Sequence, residues 1–225
     1  MKIPCFILVR KNSKGIKNKN LKKINQLNLV EITIQYLKRS KYLDDIVIST
    51  DDNTIANISN YNKCFTIYPR PKKLSSDFAT SESALKHAIK IYEDKFGKVD
   101  IVTYVQVTEP FRPENILDQC IENLKKNKKI DSCFASFYQK KNFWIKKNKK
   151  LIRISPNKNK IKPRQLKSGV YREDTGVALA TRAKFLRRGQ RLGKNLSCIP
   201  YTNPIYSIDI NTNDDLITAR KLAKK

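Results

Sequence analysis

Phe6-Ile7-Leu8-Val9-Arg10-Lys11-Asn12-Ser13-Lys14-Gly15-Ile16-Lys17-Asn18-Lys19-Asn20-Leu21 is an apolar run of strand length that breaks into a basic, amide-rich loop. At the carboxyl end of a first strand, such a loop describes a cradle for a polyphosphate. Ser13-Lys14-Gly15 supplies backbone N–H groups and an ammonium, and the glycine carries no Cβ to block a phosphate's approach. Arg10 and Lys19 add charge on either side. The P-loop arrangement, two glycines spaced by four residues and followed by Lys-Ser/Thr, is absent, which argues against an ATPase or GTPase.

Outward from that loop, the chain alternates strand and helix. Ile3 to Val9 is continuously apolar, as a parallel strand buried on both faces requires. Leu29, Ile32, Ile34, Tyr36 and Leu37 lie on a helix-length segment that ends in basic residues, which suit a helix carboxyl end. Asp45-Thr50 reads as a second strand, with Asp51-Asp52-Asn53 capping a short helix, and Cys64-Tyr68 as a third strand. A helix with Ala84, Leu85, Ala88, Ile89 and Tyr92 on one face follows, leaving His87 off that face in a structural or solvated role. Strands are expected over 100–107, 131–137 and 196–201, with a helix between the first two that Pro113 opens. Thr212 and Asp215 have capping-box spacing for a final helix, and Asp209 alternates with Ile208 and Ile210 toward a strand end. This pattern predicts an open, mostly parallel α/β sheet whose ligands bind beyond the carboxyl ends of the strands.

From Tyr138 to Ser168 the periodicity gives way to short apolar pieces between lysine runs, an excursion long enough to be functional or an interaction arm. Trp144, the sole tryptophan, is placed there to anchor an interface or to pack on its own arm. Arg164 and Arg172, on the return, form a candidate carboxylate clamp, because guanidinium presents a planar fork.

Composition narrows the function classes. The chain has 225 residues and a formal charge of +27, from 47 Lys and Arg against 20 Asp and Glu. The excess is lysine spread along the chain, and its clusters lack the interleaved aromatics of RNA-binding modules, so nucleic acid is not the expected partner. No run approaches twenty apolar residues, and the amino-terminal residues do not read as a signal peptide. Five dispersed cysteines without a Cys-x-x-Cys pair read as buried thiols in a reducing cytoplasm. One histidine leaves no room for a His-centred triad or a His-rich metal site.

Five pieces in collinear order resemble the acylneuraminate cytidylyltransferases, the CMP-sialic acid and CMP-nonulosonic acid synthetases. They are Arg10-x-x-Ser13-Lys14-Gly15 with Lys19-Asn20-Leu21; Arg70-Pro71 leading to Leu74, Asp77 and Ser81; Gln106-x-Thr108-x-Pro110-x-Arg112; Arg172 to Ala178; and Ser207-Ile208-Asp209-Ile210-Asn211. The resemblance implies a single domain over 1–225 with the three-layer α/β/α nucleotide-diphosphosugar transferase fold. The segment at about 138–168 becomes an arm that embraces a second copy. It implies that CTP and a 2-keto-3-deoxy sugar acid react to give a CMP-sugar and pyrophosphate. Arg10, Lys14, Ser13 and Gly15 then hold phosphates, and Lys19, Asn20, Arg70 and Ser81 hold the nucleotide. Gln106 and Arg164, with Arg172, hold the sugar acid, while Asp209 and Asn211 bind Mg²⁺. Three departures stand out. Asn211 replaces an expected aspartate, the Arg172–Ala178 segment is one residue longer than usual, and Glu109 puts a carboxylate near the sugar side. Alternatives are a transferase for a sugar or alditol phosphate, whose Gly-rich opening loop is missing here, and a catalytically weakened polyanion-binding relative.

Overall fold

A computed structural model describes residues 2–11, 15–154, 163–166 and 168–224. Strand β1 (Pro4–Val9) lies in the middle of the sheet, and its alternation sorts the core into two halves. Cys5, Ile7 and Val9 face one side, where they join helices α1 (Leu29–Leu37), α2 (Asn53–Tyr61), α5 (Ile116–Lys126) and α7 (Asn213–Leu222). Phe6 faces the other, against α4 (Ser81–Phe96) and α6 (Ala183–Arg187). Successive side chains of a strand point to opposite faces, so a doubly buried strand yields a three-layer α/β/α sandwich.

β1 pairs in parallel with β4 (Asp45–Thr50) on one side and β6 (Ile101–Tyr104) on the other, and β4 pairs with β5 (Phe65–Ile67). The parallel strands put their carboxyl ends along one edge. The far half of the sheet is mixed. β7 (Ser132–Gln139) carries β12 (Leu196–Tyr201) in parallel on one side. Along its other side β11 (Leu179–Arg182) and β10 (Val170–Glu173) lie end to end and antiparallel. The break between them, 174–178, turns back over β6, where Gly176 O accepts from Gln106 N at 2.8 Å.

The apolar faces fall as expected. On α4 the buried residues are Ala84, Leu85, Ala88, Ile89 and Tyr92, and the helix starts at a Thr80 cap. His87 stays half-buried on its flank, with Nδ1 sealed and unpaired among the described residues. Thr212 and Asp215 form their capping box. Two expectations need correction. Pro113 does not open α5. The helix begins at Ile116 behind Asn115, whose left-handed φ of 59° bars a helical turn before it. Asp209 is not on a strand either. A 3₁₀ turn over Pro204–Ser207 precedes it, and only the burial of Ile210 preserves the alternation that suggested a strand. A two-residue hairpin, β2 (Lys23–Ile24) and β3 (Leu27–Asn28), went unpredicted because so short a ladder leaves no period to read.

Between β7 and β10 the chain forms a hairpin of β8 (Trp144–Lys147) and β9 (Lys150–Arg153) that shares no ladder with the main sheet. Trp144 is 54% exposed and Leu151 68% exposed, so neither is packed into a core. Of the cysteines, Cys5, Cys120 and Cys133 are buried and Cys64 and Cys198 half-buried, all as free thiols. No helix among the described residues is long and apolar enough to cross a membrane.

Candidate active site

A cleft of about 540 Å³ opens at the carboxyl ends of the parallel strands. The loop after β1 contributes Arg10, Gly15, Lys19 and Asn20 to its wall. Arg70 comes from the segment between β5 and α4, Ser81 from the start of α4, Gln106 from just past β6, and Asn211 from near the far end of the chain. Ser81 begins α4 and Thr80 caps it, so the positive end of a sixteen-residue helix also meets the cleft. Ser13 and Lys14 lie outside the described residues, as does the Arg164 side chain.

The opening loop is fastened from within. Asn20 Nδ2 donates to Arg10 O at 3.0 Å, and Arg10 Nη1 reaches Asp77 Oδ1 at 2.6 Å. The Lys19 ammonium donates to Ile210 O at 2.7 Å and Asn211 Oδ1 at 3.1 Å, tying this loop to a segment about 190 residues away. Burial holds the Lys19 pKa below its ordinary value and Arg10 lowers it further, while Asp209 and Asp215 oppose both. A Cβ on Gly15 would sit 2.1 Å from Asn211 O, so bare backbone is what allows this approach. Arg70 is buried, donating to Ser75 Oγ at 3.0 Å and Ser49 O at 3.4 Å, with Asp51 at 3.8 Å. It therefore both fixes its loop to β4 and brings positive charge to the cleft wall.

Asn211 was expected to ligate a metal beside Asp209. Its Nδ2 instead donates to Asp209 Oδ2 at 2.7 Å while its Oδ1 accepts from Lys19. Flipping the amide would set NH₂ against an ammonium and oxygen against a carboxylate, so the neighbours dictate the orientation. No group of three or more acidic, His or Cys side chains able to hold a metal occurs among the described residues. Asp209 is nonetheless an exposed carboxylate, and Mg²⁺ characteristically binds through one or two carboxylates plus substrate phosphates. The donor set fits such a half-site on Asp209.

Arg172, one half of the expected arginine clamp, is paired within the protein. Its Nε and Nη2 engage Asp174 at 2.7 and 2.9 Å, and Tyr201 donates to the same carboxylate. This pairing raises the Arg172 pKa and occupies the fork that was to grip substrate. Arg172 also faces a different cavity, beside Phe137 and Lys140, while Gln106 belongs to the nucleotide-sized cleft. Lys140 and Lys141 leave that second cavity cationic.

A family profile described as Cytidylyltransferase matches residues 5–202. The chain belongs to the cytidylyltransferase family. It is 32% identical over 127 residues to the pseudaminic acid cytidylyltransferase of Campylobacter jejuni, covering 56% of this chain and 55% of that protein. It is 34% identical over 94 residues to the CMP-N,N'-diacetyllegionaminic acid synthase of the same species, covering 42% and 40%. The chain thus spans about half the length, or less, of these curated relatives. Among solved structures, a CMP:2-keto-3-deoxy-manno-octonic acid synthetase complexed with CTP superposes with a TM-score of 0.71 at 12% identity, over 100% of this chain and 99% of that one. That likeness establishes the nucleotide-sugar transferase fold. Asp77, Tyr104 and Thr80 also line the cleft, although the sequence reading gave none of them a role in the site. Asp77 could have been found from its place in the second motif, whereas the exposure of Tyr104 to the cleft depends on the strand's end.

Proposed function

We propose that the protein transfers CMP from CTP to the anomeric hydroxyl of a nonulosonic acid or another 2-keto-3-deoxy sugar acid, releasing pyrophosphate. The observation that carries this reading is the cleft itself. It gathers Arg10, Lys19, Arg70, Gln106 and Asn211, from four separate parts of the sequence, at the carboxyl edge of the parallel strands. The activities named for the curated relatives, on pseudaminic and legionaminic acids, favour a sugar acid over a sugar phosphate.

Arg10, Lys19 and the α4 amino terminus supply fixed positive charge where the triphosphate lies, and Gln106 orients the sugar acid at its rim. As the anomeric oxygen bonds to the α-phosphorus, the bond from phosphorus to the departing pyrophosphate breaks and the hydroxyl proton is given up to solvent. Such transfers depend on in-line positioning and charge neutralisation. Mg²⁺, held by Asp209 together with the phosphates, supplies further neutralisation when bound. Asn211 positions Lys19 and Asp209 relative to one another. Pyrophosphate release, assayed with each of the four nucleoside triphosphates and with pseudaminic, legionaminic and N-acylneuraminic acids, tests the reading. Preference for CTP with at least one acid is expected, and no release with any acid defeats it.

The metal assignment has its own test. Asp209→Asn should remove most activity and most Mn²⁺ binding measured by electron paramagnetic resonance. Asn211→Asp would place two carboxylates together beside Lys19 and should tighten the cation about tenfold, because affinity follows ligand charge. Equal Mn²⁺ affinity in wild type and Asn211→Asp would leave position 211 outside the metal's reach.

The hairpin is proposed as a dimer contact. Trp144, Leu151, Ile152 and Ile154 expose apolar surface on an element with no core beneath it. Deleting residues 143–154 should convert the protein to monomers in analytical ultracentrifugation. A deletion that stays dimeric would move the interface elsewhere.

A further inference from the structure

Asp77 is the only carboxylate among the described residues that line the cleft. It shares that wall with Arg10, Lys19, Arg70 and the amino end of α4, all of which bring positive charge. In a site for a triphosphate, a carboxylate weakens binding by repulsion between like charges. Some other contact of Asp77 must offset that cost.

The offsetting contact is with Arg10. Arg10 Nη1 donates to Asp77 Oδ1 at 2.6 Å, a short charge-assisted hydrogen bond. Among the described residues this is the only hydrogen bond the Arg10 side chain makes, so Nε and Nη2 are left to a ligand. The carboxylate is mounted between two fixed points. Its segment follows α3 (Lys72–Ser75), where Arg70 Nε holds Ser75 Oγ at 3.0 Å. Ala79 N donates to Ser76 O at 3.2 Å, closing a turn around Asp77, and Thr80 caps α4 by accepting from Ser83 N at 3.2 Å. Arg10 is held at its other end as well, where Asn20 Nδ2 donates to its carbonyl. The Arg10 and Asp77 side chains are 32% and 46% exposed, and an ion pair so exposed adds little to stability. Its effect falls on the direction of the guanidinium.

We propose that Asp77 is a positioning residue for the transfer, holding the Arg10 guanidinium through Nη1 in the orientation that meets the triphosphate as pyrophosphate departs. The assignment rests on the CTP and sugar-acid reading above. An arginine side chain has many rotamers, and a donor oriented beforehand stabilises the transition state without reordering at the moment of reaction. The carboxylate therefore weakens nucleotide binding and raises turnover, two effects that kinetics can separate.

Steady-state kinetics of Asp77→Ala, Asp77→Asn, Arg10→Ala and the Asp77→Ala/Arg10→Ala double variant test the proposal. Asp77→Ala should lower kcat about tenfold, a part of the roughly hundredfold loss that removal of the whole donor brings in Arg10→Ala. KM for CTP should stay the same or fall in Asp77→Ala, because a repelling charge is gone. Asp77→Asn keeps an oxygen that accepts from Arg10 and should recover most of kcat. Adding Asp77→Ala to Arg10→Ala should change kcat by less than about twofold, since the residue acts through Arg10. The melting temperature of Asp77→Ala should stay within about 2 °C of wild type. Additive losses in the double variant, a raised KM for CTP in Asp77→Ala, or an Asp77→Asn variant as slow as Asp77→Ala would overturn the assignment. So would loss of Mn²⁺ binding in Asp77→Asn, which would make Asp77 a metal ligand instead. A wild-type protein that turns over no sugar acid defeats the function itself. Normal wild-type turnover with an indifferent Asp77→Ala defeats only the role of Asp77.

Discussion

Gly15→Ala should lower kcat/KM for pyrophosphate release about a hundredfold, the scale of loss that an ångström of misplacement produces, with the melting temperature almost unchanged. The added methyl would come within 2.1 Å of Asn211 O and 3.3 Å of its carbonyl carbon. Both atoms are backbone, so no side chain can swing away to relieve the overlap. Either the opening loop or residues 209–212 must retreat, and each carries part of the cleft. Lys19 would lose its registration with Ile210 O and Asn211 Oδ1 as the two segments part. Gly15 is exposed and outside the core, so global unfolding is not the expected outcome. Calorimetric titration with CTP should show the same loss as the kinetics. Wild-type binding in this variant would mean that the loop and the 209–212 segment do not meet in solution.

Arg112→Leu should instead act on the fold, destabilising it by about 3–5 kcal/mol, the scale of losing two hydrogen bonds from a buried charged donor. Arg112 is buried, with Nε donating to Val177 O at 3.2 Å and Nη2 donating to Gln106 O. Its guanidinium also stacks 5.3 Å from the centroid of the Tyr36 ring. Leucine would fill much of the volume but, among the described residues, leave the Val177 carbonyl without a donor and the Gln106 carbonyl with only Glu109 N at 3.5 Å. Glu109 would lose its principal opposing charge as well, and its acidity would weaken further. Urea denaturation monitored by circular dichroism reads the change. At this chain length each kcal/mol corresponds to roughly 2–4 °C, so a drop on the order of 10 °C in Tm accompanies it. A loss below 1 kcal/mol would show that water replaces the guanidinium at little cost.

The elements with a strong period were legible before any coordinates. The α4 face and the doubly buried β1 follow directly from apolar spacing, because burial on one or two faces imposes it. Arg10, Gly15, Lys19, Arg70, Ser81 and Gln106, which the resemblance named from separate motifs, line one cleft. What escaped was contact between segments remote in sequence. Arg172 is a different case, paired by a carboxylate only two residues away that the reading of it as a substrate clamp did not weigh. Asn211 was read as a weakened metal ligand, and nothing near it in sequence marks Lys19 as the donor to its oxygen. Glu109 was noticed as a departure, but nothing local shows that its carboxyl packs against a glycine 67 positions further along the chain.

The hairpin leaves and rejoins the core at two residues that face each other across an antiparallel ladder, Gln139 opposite Val170. Its entry and exit are thus already closed by the sheet. Further length between them adds a closure cost that grows only logarithmically, and shortening removes no ladder bond from the core. The segment is therefore a natural graft point, open to exchange, enlargement or loss without retuning the cleft. The hairpin's surface can diverge at its own rate, while the cleft stays under a separate constraint.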